Sequence, residues 1–228
     1  MNFEKFLNGI SKEPLQVIDS SISINDYTGI DLSIHNKDIV DKDVSIPDVC
    51  ENYINSKINS RNAKVAYGGY LEERNLYQGL NNFISSENRT IHLGIDLWCK
   101  VGTEVLAVLD GAVHSFQNNN KVGDYGPTLI LKHSYNSIEF HTLYGHLSLE
   151  SIEGIEIEQK LSQGDVIGAL GSPEFNVGYA PHLHFQLIRN MTGYFGDYPG
   201  VCSKEDLAFY KENCPNPDLL LKLSSLKR

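Results

Sequence analysis

Two histidines separated by a single residue, in the run Pro181-His-Leu-His-Phe185, do most to limit what this chain can fold into. Strand side chains alternate between faces, so His182 and His184 share one face if the run is β. Two more pieces join them, His92-Leu-Gly-Ile-Asp96 and Tyr144-Gly-His146-Leu147. Four histidines and one carboxylate thus fall within about ninety residues of β-patterned sequence. No folding requirement brings such groups together on strands, because each buried polar group needs a partner. Imidazole and carboxylate are the usual ligands of hydrolytic zinc, and a catalytic site takes three of them and keeps one position open. Five candidates for three places leave two groups for acid–base work. The surplus points to a zinc hydrolase rather than a structural zinc site.

A chain of 228 residues can bury a proper core, and one catalytic domain with an N-terminal extension fits it better than two full domains. Lys plus Arg number 19 against 29 Asp plus Glu, a net charge of −10. That balance argues against nucleic acid or an anionic surface as the main partner, and leaves a neutral peptide or a cationic substrate open. Phe3, Phe6, Leu7 and Ile10 have the spacing of an amphipathic helix. The sequence as given carries no basic segment followed by a long apolar run, and no window long enough to span a bilayer, so the expected location is the cytoplasm. Cys50, Cys99, Cys202 and Cys214 show no Cys-x-x-Cys spacing, which predicts free thiols rather than a disulfide framework or a thiolate metal site. Cys99, three residues past Asp96, is the one expected near a metal.

The expected fold class is mainly β: an antiparallel sheet or sandwich at residues 88–190, with an α/β extension at 1–87 and a C-terminal loop and short helix at 191–228. In the extension, alternating Ile and Leu from Ile22 to Ile34 predict short strands, Ile46-Pro47 marks a boundary, and helices are expected around 48–60 and 70–84. Ala66-Tyr-Gly-Gly-Tyr70 between them is a turn signal. The extension is expected to pack on the catalytic domain. Arg74 and Tyr77, one helical turn apart, either reach a substrate groove or are a solvated Arg beside a core Tyr. Further on, Asp110-Gly111 between Thr103–Leu109 and Ala112–Phe116 predicts a hairpin. Thr128–His133 and Ile138–Tyr144 form a second strand pair, Leu161–Leu170 a turn and short strand, and His182–Ile188 the last strand. A loop at Gly196–Cys202 and a helix around 218–226 close the chain.

The ordered histidine pieces resemble the lysostaphin/LytM-type zinc endopeptidases, peptidase family M23, whose pattern is His-x-x-x-Asp, a later Tyr-x-His, then His-x-His. Gly123-Asp-Tyr-Gly-Pro-Thr-Leu-Ile-Leu-Lys-His133 is similar to the family's glycine-turn-and-strand segment, and Pro181–Phe185 to its second signature. The resemblance covers roughly residues 88 to 190. It implies a single Zn2+ held by His92, Asp96 and His184, with His146 and His182 as the catalytic pair that orients or deprotonates water and stabilises an oxyanion. It further implies hydrolysis of an amide in peptidoglycan-type or other small peptides. Gly145 is expected to let the backbone turn the His146 ring toward the site. Tyr144 either donates to a substrate carbonyl or packs through its ring. His133 is expected in a groove wall or a structural place, His114 and His141 in cross-strand packing or at the surface, and His35 has no role.

One departure bears on the substrate. Secreted members generally carry a Ser/Thr/Gly-rich loop before the His-x-His, whereas this chain has Ser172-Pro-Glu-Phe-Asn-Val-Gly-Tyr-Ala-Pro181. Bulky Phe175 and Tyr179 are expected to narrow or reshape a groove suited to glycine-rich cross-bridges. Competing readings are a cytosolic zinc hydrolase of the same fold acting on another amide or ester, and a metal-free binding or regulatory module. The five filled site positions count against the module. A phosphocarrier, which would need a histidine pair but no Asp96 at this spacing, and a lipoyl-type carrier, which would need a lysine at a hairpin tip, fit less well.

Overall fold

The computed structural model describes residues 2–75, 89–121, 123–175 and 179–225. In chain order the strands of the first half are β1 (Tyr27–Gly29), β2 (Val65–Gly68), β3 (Ile91–His92), β4 (Ile95–Trp98), β5 (Glu104–Leu106) and β6 (Gly111–Asn119). The second half adds β7 (Gly126–Tyr135), β8 (Ile138–Gly145), β9 (Lys160–Leu161), β10 (Val166–Ala169), β11 (His182–Ile188) and β12 (Val201–Cys202). The helices are α1 (Phe3–Asn8), α2 (Pro47–Ser60), α3 (Leu207–Asn213) and α4 (Asp218–Leu221). None of the helices among the described residues is long and apolar enough to cross a membrane.

Eight strands form one sheet in the order β1-β2-β4-β11-β8-β7-β6-β9, antiparallel throughout except for the parallel β1–β2 pair. The β7–β8 hairpin turns at Asn136 and Ser137, both with positive φ (50° and 62°), as a two-residue turn matched to strand twist requires. Strand alternation then sorts the side chains. Phe140, Tyr144, Leu129, Leu131, Phe185 and Leu187 enter the main core, where they meet Phe6 and Leu7 of α1 and Val17 and Ile18 behind it. The opposite face carries Asp96, His182, His184 and Gln186. β4 and β11 are paired so that Asp96 lies opposite His184 and Trp98 opposite His182.

The N-terminal region continues this sheet. β2 pairs with β4, setting Gly68 opposite Asp96 and Ala66 opposite Trp98. α2 begins with Pro47 in its first turn, where the missing N–H costs nothing. It buries Cys50, Tyr53 and Ile54 against Leu32, Val44 and Trp98 in a second apolar cluster.

Several local readings of the sequence give way to longer-range packing. Asp110-Gly111 is not a hairpin: β5 pairs with β10 in a separate two-stranded sheet, and β6 turns off to pair with β7 and β9. The Asp110 carboxylate accepts the Gln163 N–H at 2.8 Å, and a Cβ on Gly111 would lie 2.7 Å from the Lys132 carbonyl, so the pair forms a tight corner between sheets. Residues 70–75 are not helical either. Gly69 has φ of +112° and Glu73 bridges Ile91, so the segment runs extended beside β3; the rest of the expected helix, with Tyr77, lies outside the described residues. Ala66 to Gly68 is strand rather than turn. Between Ile22 and Ile34 only Tyr27–Gly29 is strand, since Ser23 caps a short 3-10 turn there and competes with extended pairing. At the C-terminus α4 stops at Lys222, whose φ is 53°, and one 3-10 turn follows, while α3 was not signalled by the sequence pattern.

Candidate metal centre

Three groups meet at the open face of β4 and β11. His92 Nε2 lies 2.9 Å from His184 Nδ1 and 3.2 Å from Asp96 Oδ1, and His184 Nδ1 lies 3.1 Å from the same carboxylate oxygen. All three residues are buried. β4 supplies Asp96 and β11 supplies His184, while His92 comes from β3, four residues before Asp96. Gly94 between them allows the close approach: a Cβ there would lie 2.6 Å from the His184 ring.

The hydrogen bonds behind this triangle fix what it presents. His92 Nδ1 is 2.9 Å from the Gly69 carbonyl, which can only accept, so Nδ1 carries the proton and Nε2 a lone pair. The Gln186 amide donates to the Pro199 carbonyl at 3.1 Å and to Cys214 Sγ at 3.3 Å, which leaves its oxygen 2.9 Å from His184 Nε2. His184 therefore holds its proton on Nε2 and turns the Nδ1 lone pair inward. Three acceptors face one another with no proton between them, and such an arrangement is stable only around a cation. Tetrahedral zinc with ligand bonds of 2.0–2.2 Å sets neighbouring ligand atoms roughly 3.3 Å apart, close to the spacing found. The residues fit a metal ion.

Charges agree with this. Burial and the Arg74 guanidinium push the His92 pKa down to about 4, so the ring is neutral. Burial opposes ionisation of Asp96, but the neighbouring imidazoles and the Arg74 guanidinium outweigh it and hold the carboxyl well below its usual range. Arg74 is 1 % exposed and its Nη1 lies 2.6 Å from Asp96 Oδ2, while its Nε lies 2.9 Å from Glu72.

His182 and His146 stand beside the triad, ring centres 4.1 Å apart. His182 Nδ1 donates to the Ala180 carbonyl at 2.7 Å, leaving the Nε2 lone pair 4.0 Å from Asp96 Oδ1. Its ring stacks on Trp98 at 5.7 Å. Burial lowers the pKa of both, for His146 with the further effect of His182 and His184. His146 Nδ1 is buried and takes no hydrogen-bond partner among the described residues. The turn toward the site is made by His146 itself, with φ of +62°, and not by Gly145; Gly145 is needed for space, since a Cβ would lie 2.8 Å from Tyr125 Cδ1. The residues open onto a cleft of about 410 Å³ whose walls include Tyr125, Tyr179, Trp98, Cys50 and Val44.

The remaining candidates fall elsewhere. Tyr144 is fully buried on the core face and its hydroxyl accepts the Val108 N–H at 3.0 Å, so it packs rather than meets substrate. His133 is on that same face, bonded to Asp110 and Thr142, and is no groove wall. His114 and His141 meet edge-on at 4.8 Å across β7, and His35 is exposed. Tyr179 lines the cleft edge-on to His146, whereas Phe175 does not reach it. Cys99 packs toward the main core; Cys50 is the cysteine in the cleft wall. Tyr125 and Gln186 also line or support the site, Gly69 accepts from His92, and Arg74, one of the two residues weighed as reaching the groove, lies buried in its wall rather than solvated.

A mainly antiparallel sheet thus presents two imidazoles and a carboxylate grouped so that they could hold a metal ion, with two further imidazoles beside them. Residues 90–194 match peptidase family M23, in line with the likeness read from the motifs. Among solved structures, the catalytic domain of lysostaphin from Staphylococcus simulans shares 23 % identity over 71 % of this chain and 97 % of its own, with a TM-score of 0.41. The catalytic domain of the prophage-encoded M23 protein EnpA from Enterococcus faecalis shares 23 % identity over 58 % of this chain and 88 % of its own, with a TM-score of 0.40. A zinc-containing peptidase from Vibrio cholerae shares 26 % identity over 43 % of this chain and 27 % of its own, with a TM-score of 0.34. No curated protein matches the sequence.

Proposed function

We propose that the protein is a zinc-dependent endopeptidase that hydrolyses an amide bond in peptidoglycan-type or other small peptides. The observation that carries this reading is the triangle of inward lone pairs on His92 and His184 with the Asp96 carboxylate, all within about 3 Å of one another. Zinc held there supplies Lewis acidity, lowering the pKa of a water toward about 7 and polarising a carbonyl. The chain's own residues handle the protons. His182, neutral and with Nε2 aimed at the site, takes a proton from the attacking water as its oxygen bonds to the amide carbon. That proton then passes to the departing nitrogen as the C–N bond breaks, leaving a carboxylic acid and an amine. The Ala180 carbonyl keeps His182 in the working tautomer and stabilises its charged form in between. His146, its ring 4.1 Å from that of His182, serves in this reading as donor to the oxygen that gains negative charge. Tyr125, Tyr179 and Trp98 in the cleft wall offer apolar surface to a bound peptide.

The test is cleavage of short peptides, oligoglycine and peptidoglycan-type peptides among them, followed by appearance of new amino termini. Cleavage abolished by a chelator and restored by zinc supports the reading. Absence of any cleavage by zinc-loaded protein, or cleavage indifferent to chelation, rejects it.

A further inference from the structure

The wall behind the metal-binding triad does not come from the segment that matches the peptidase family. It comes from residues 69–74, which run beside β3 in a ladder: Leu71 N–H donates to the His92 carbonyl at 2.9 Å, His92 N–H to Glu72 at 2.9 Å, and Arg74 N–H to Thr90 at 2.8 Å. Gly69 accepts from His92 Nδ1 and so sets the tautomer of that ring. A Cβ on Gly69 would run into Arg74 Nη2 and lie 2.9 Å from His92 Nδ1, so the position admits only glycine. Arg74 is almost completely buried, its guanidinium 5.8 Å from the Trp98 ring centre and clamped between two carboxylates.

A carboxylate offers a metal either one oxygen or both. Arg74 Nη1 occupies Asp96 Oδ2 at 2.6 Å, while Oδ1 faces the two imidazoles. We propose that Arg74 is a positioning residue that confines Asp96 to one-oxygen ligation, so that the N-terminal region completes the metal site and keeps its open position free. The inference rests on the zinc reading given above. Groups that orient metal ligands typically change affinity by about tenfold to a hundredfold when removed. Burying an arginine is costly unless its partners are in place, and Glu72 and Asp96 are both in place.

The experiment compares wild type, Arg74→Lys and the double variant Glu72→Gln with Arg74→Met. The double variant removes the buried cation together with its second counter-charge, so that Glu72 is not left as an isolated buried charge, and Asp96 keeps the bound metal as its counter-charge. Zinc affinity is measured by chelator competition, and coordination by the visible spectrum of the cobalt-substituted proteins. Expected is a loss of about tenfold or more in zinc affinity for the double variant, with weaker cobalt bands as the released Asp96 oxygen raises the coordination number. Arg74→Lys, which keeps the charge but not the fork, should recover part of the affinity. A folded double variant with wild-type affinity and an unchanged cobalt spectrum overturns the role of Arg74 while the zinc reading stands. Wild type that takes up neither metal overturns both.

Discussion

His184 Nε2 lies 2.9 Å from the side-chain oxygen of Gln186, two residues along the same strand face. This contact decides which nitrogen His184 turns toward Asp96, and Pro199 and Cys214 hold the amide the right way round. Replacing Gln186 with Leu leaves the shape and removes the acceptor. Zinc affinity, read by chelator competition, is expected to fall about tenfold to a hundredfold with the fold intact. Unaltered affinity would show that His184 is oriented by its strand alone.

The two histidines of β11 should separate cleanly. His184→Ala removes a ligand and is expected to lose the metal. His182→Ala keeps all three ligands and should retain about one zinc while activity drops by roughly a hundredfold or more. Loss of zinc from His182→Ala would show that the division between ligand and base is drawn in the wrong place.

Tyr125 is wedged between Gly145 and Gly200, where an added Cβ would strike its ring or hydroxyl. It cannot retreat, so Gly145→Ala must push the His146 turn. The expected cost is about 1–3 kcal/mol, or a fall in Tm of a few degrees by calorimetry, with activity reduced by about tenfold or more as His146 shifts. A variant with unchanged Tm and activity would mean that the turn adapts.

The mainly antiparallel fold class and the grouping of the five site residues were legible in the sequence, whereas the local turns and helices around them were less so. His182 and His184 needed only strand alternation to share a face, and the β7–β8 pair needed only the two strand patterns at Thr128–His133 and Ile138–Tyr144. Asp110-Gly111 misled because turn chemistry is local, whereas the choice between a hairpin and a corner is made by Gln163 and β10, over fifty residues away. Arg74 misled for a related reason. Its neighbours suggest a helix, but burial against Asp96 and Glu72 outweighs that weak preference. Gln186 and Gly69 are ordinary residue types whose importance exists only through what they touch.

On the core face His133 is neutral, donating from Nδ1 to the Asp110 carbonyl at 2.8 Å and sharing Nε2 with Thr142 at 2.7 Å. Burial pushes its pKa down to about 4, against roughly 6.5 in the unfolded chain. Between those values the unfolded state binds more protons, so stability rises with pH across that window. His133 therefore contributes fully above about pH 6.5, and its contribution is lost as pH falls through about 4, a change of at most about 3 kcal/mol. The stability of His133→Gln, followed by denaturant titration of the metal-free protein, should fall less steeply than wild type between pH 6.5 and 4. Parallel profiles would contradict the buried neutral state.

The most direct test of the account is the metal content of the purified protein by mass spectrometry, wild type beside Asp96→Ala. About one zinc per chain is expected in wild type, with its loss in the variant. Wild type that carries no zinc and takes up none on reconstitution would contradict it.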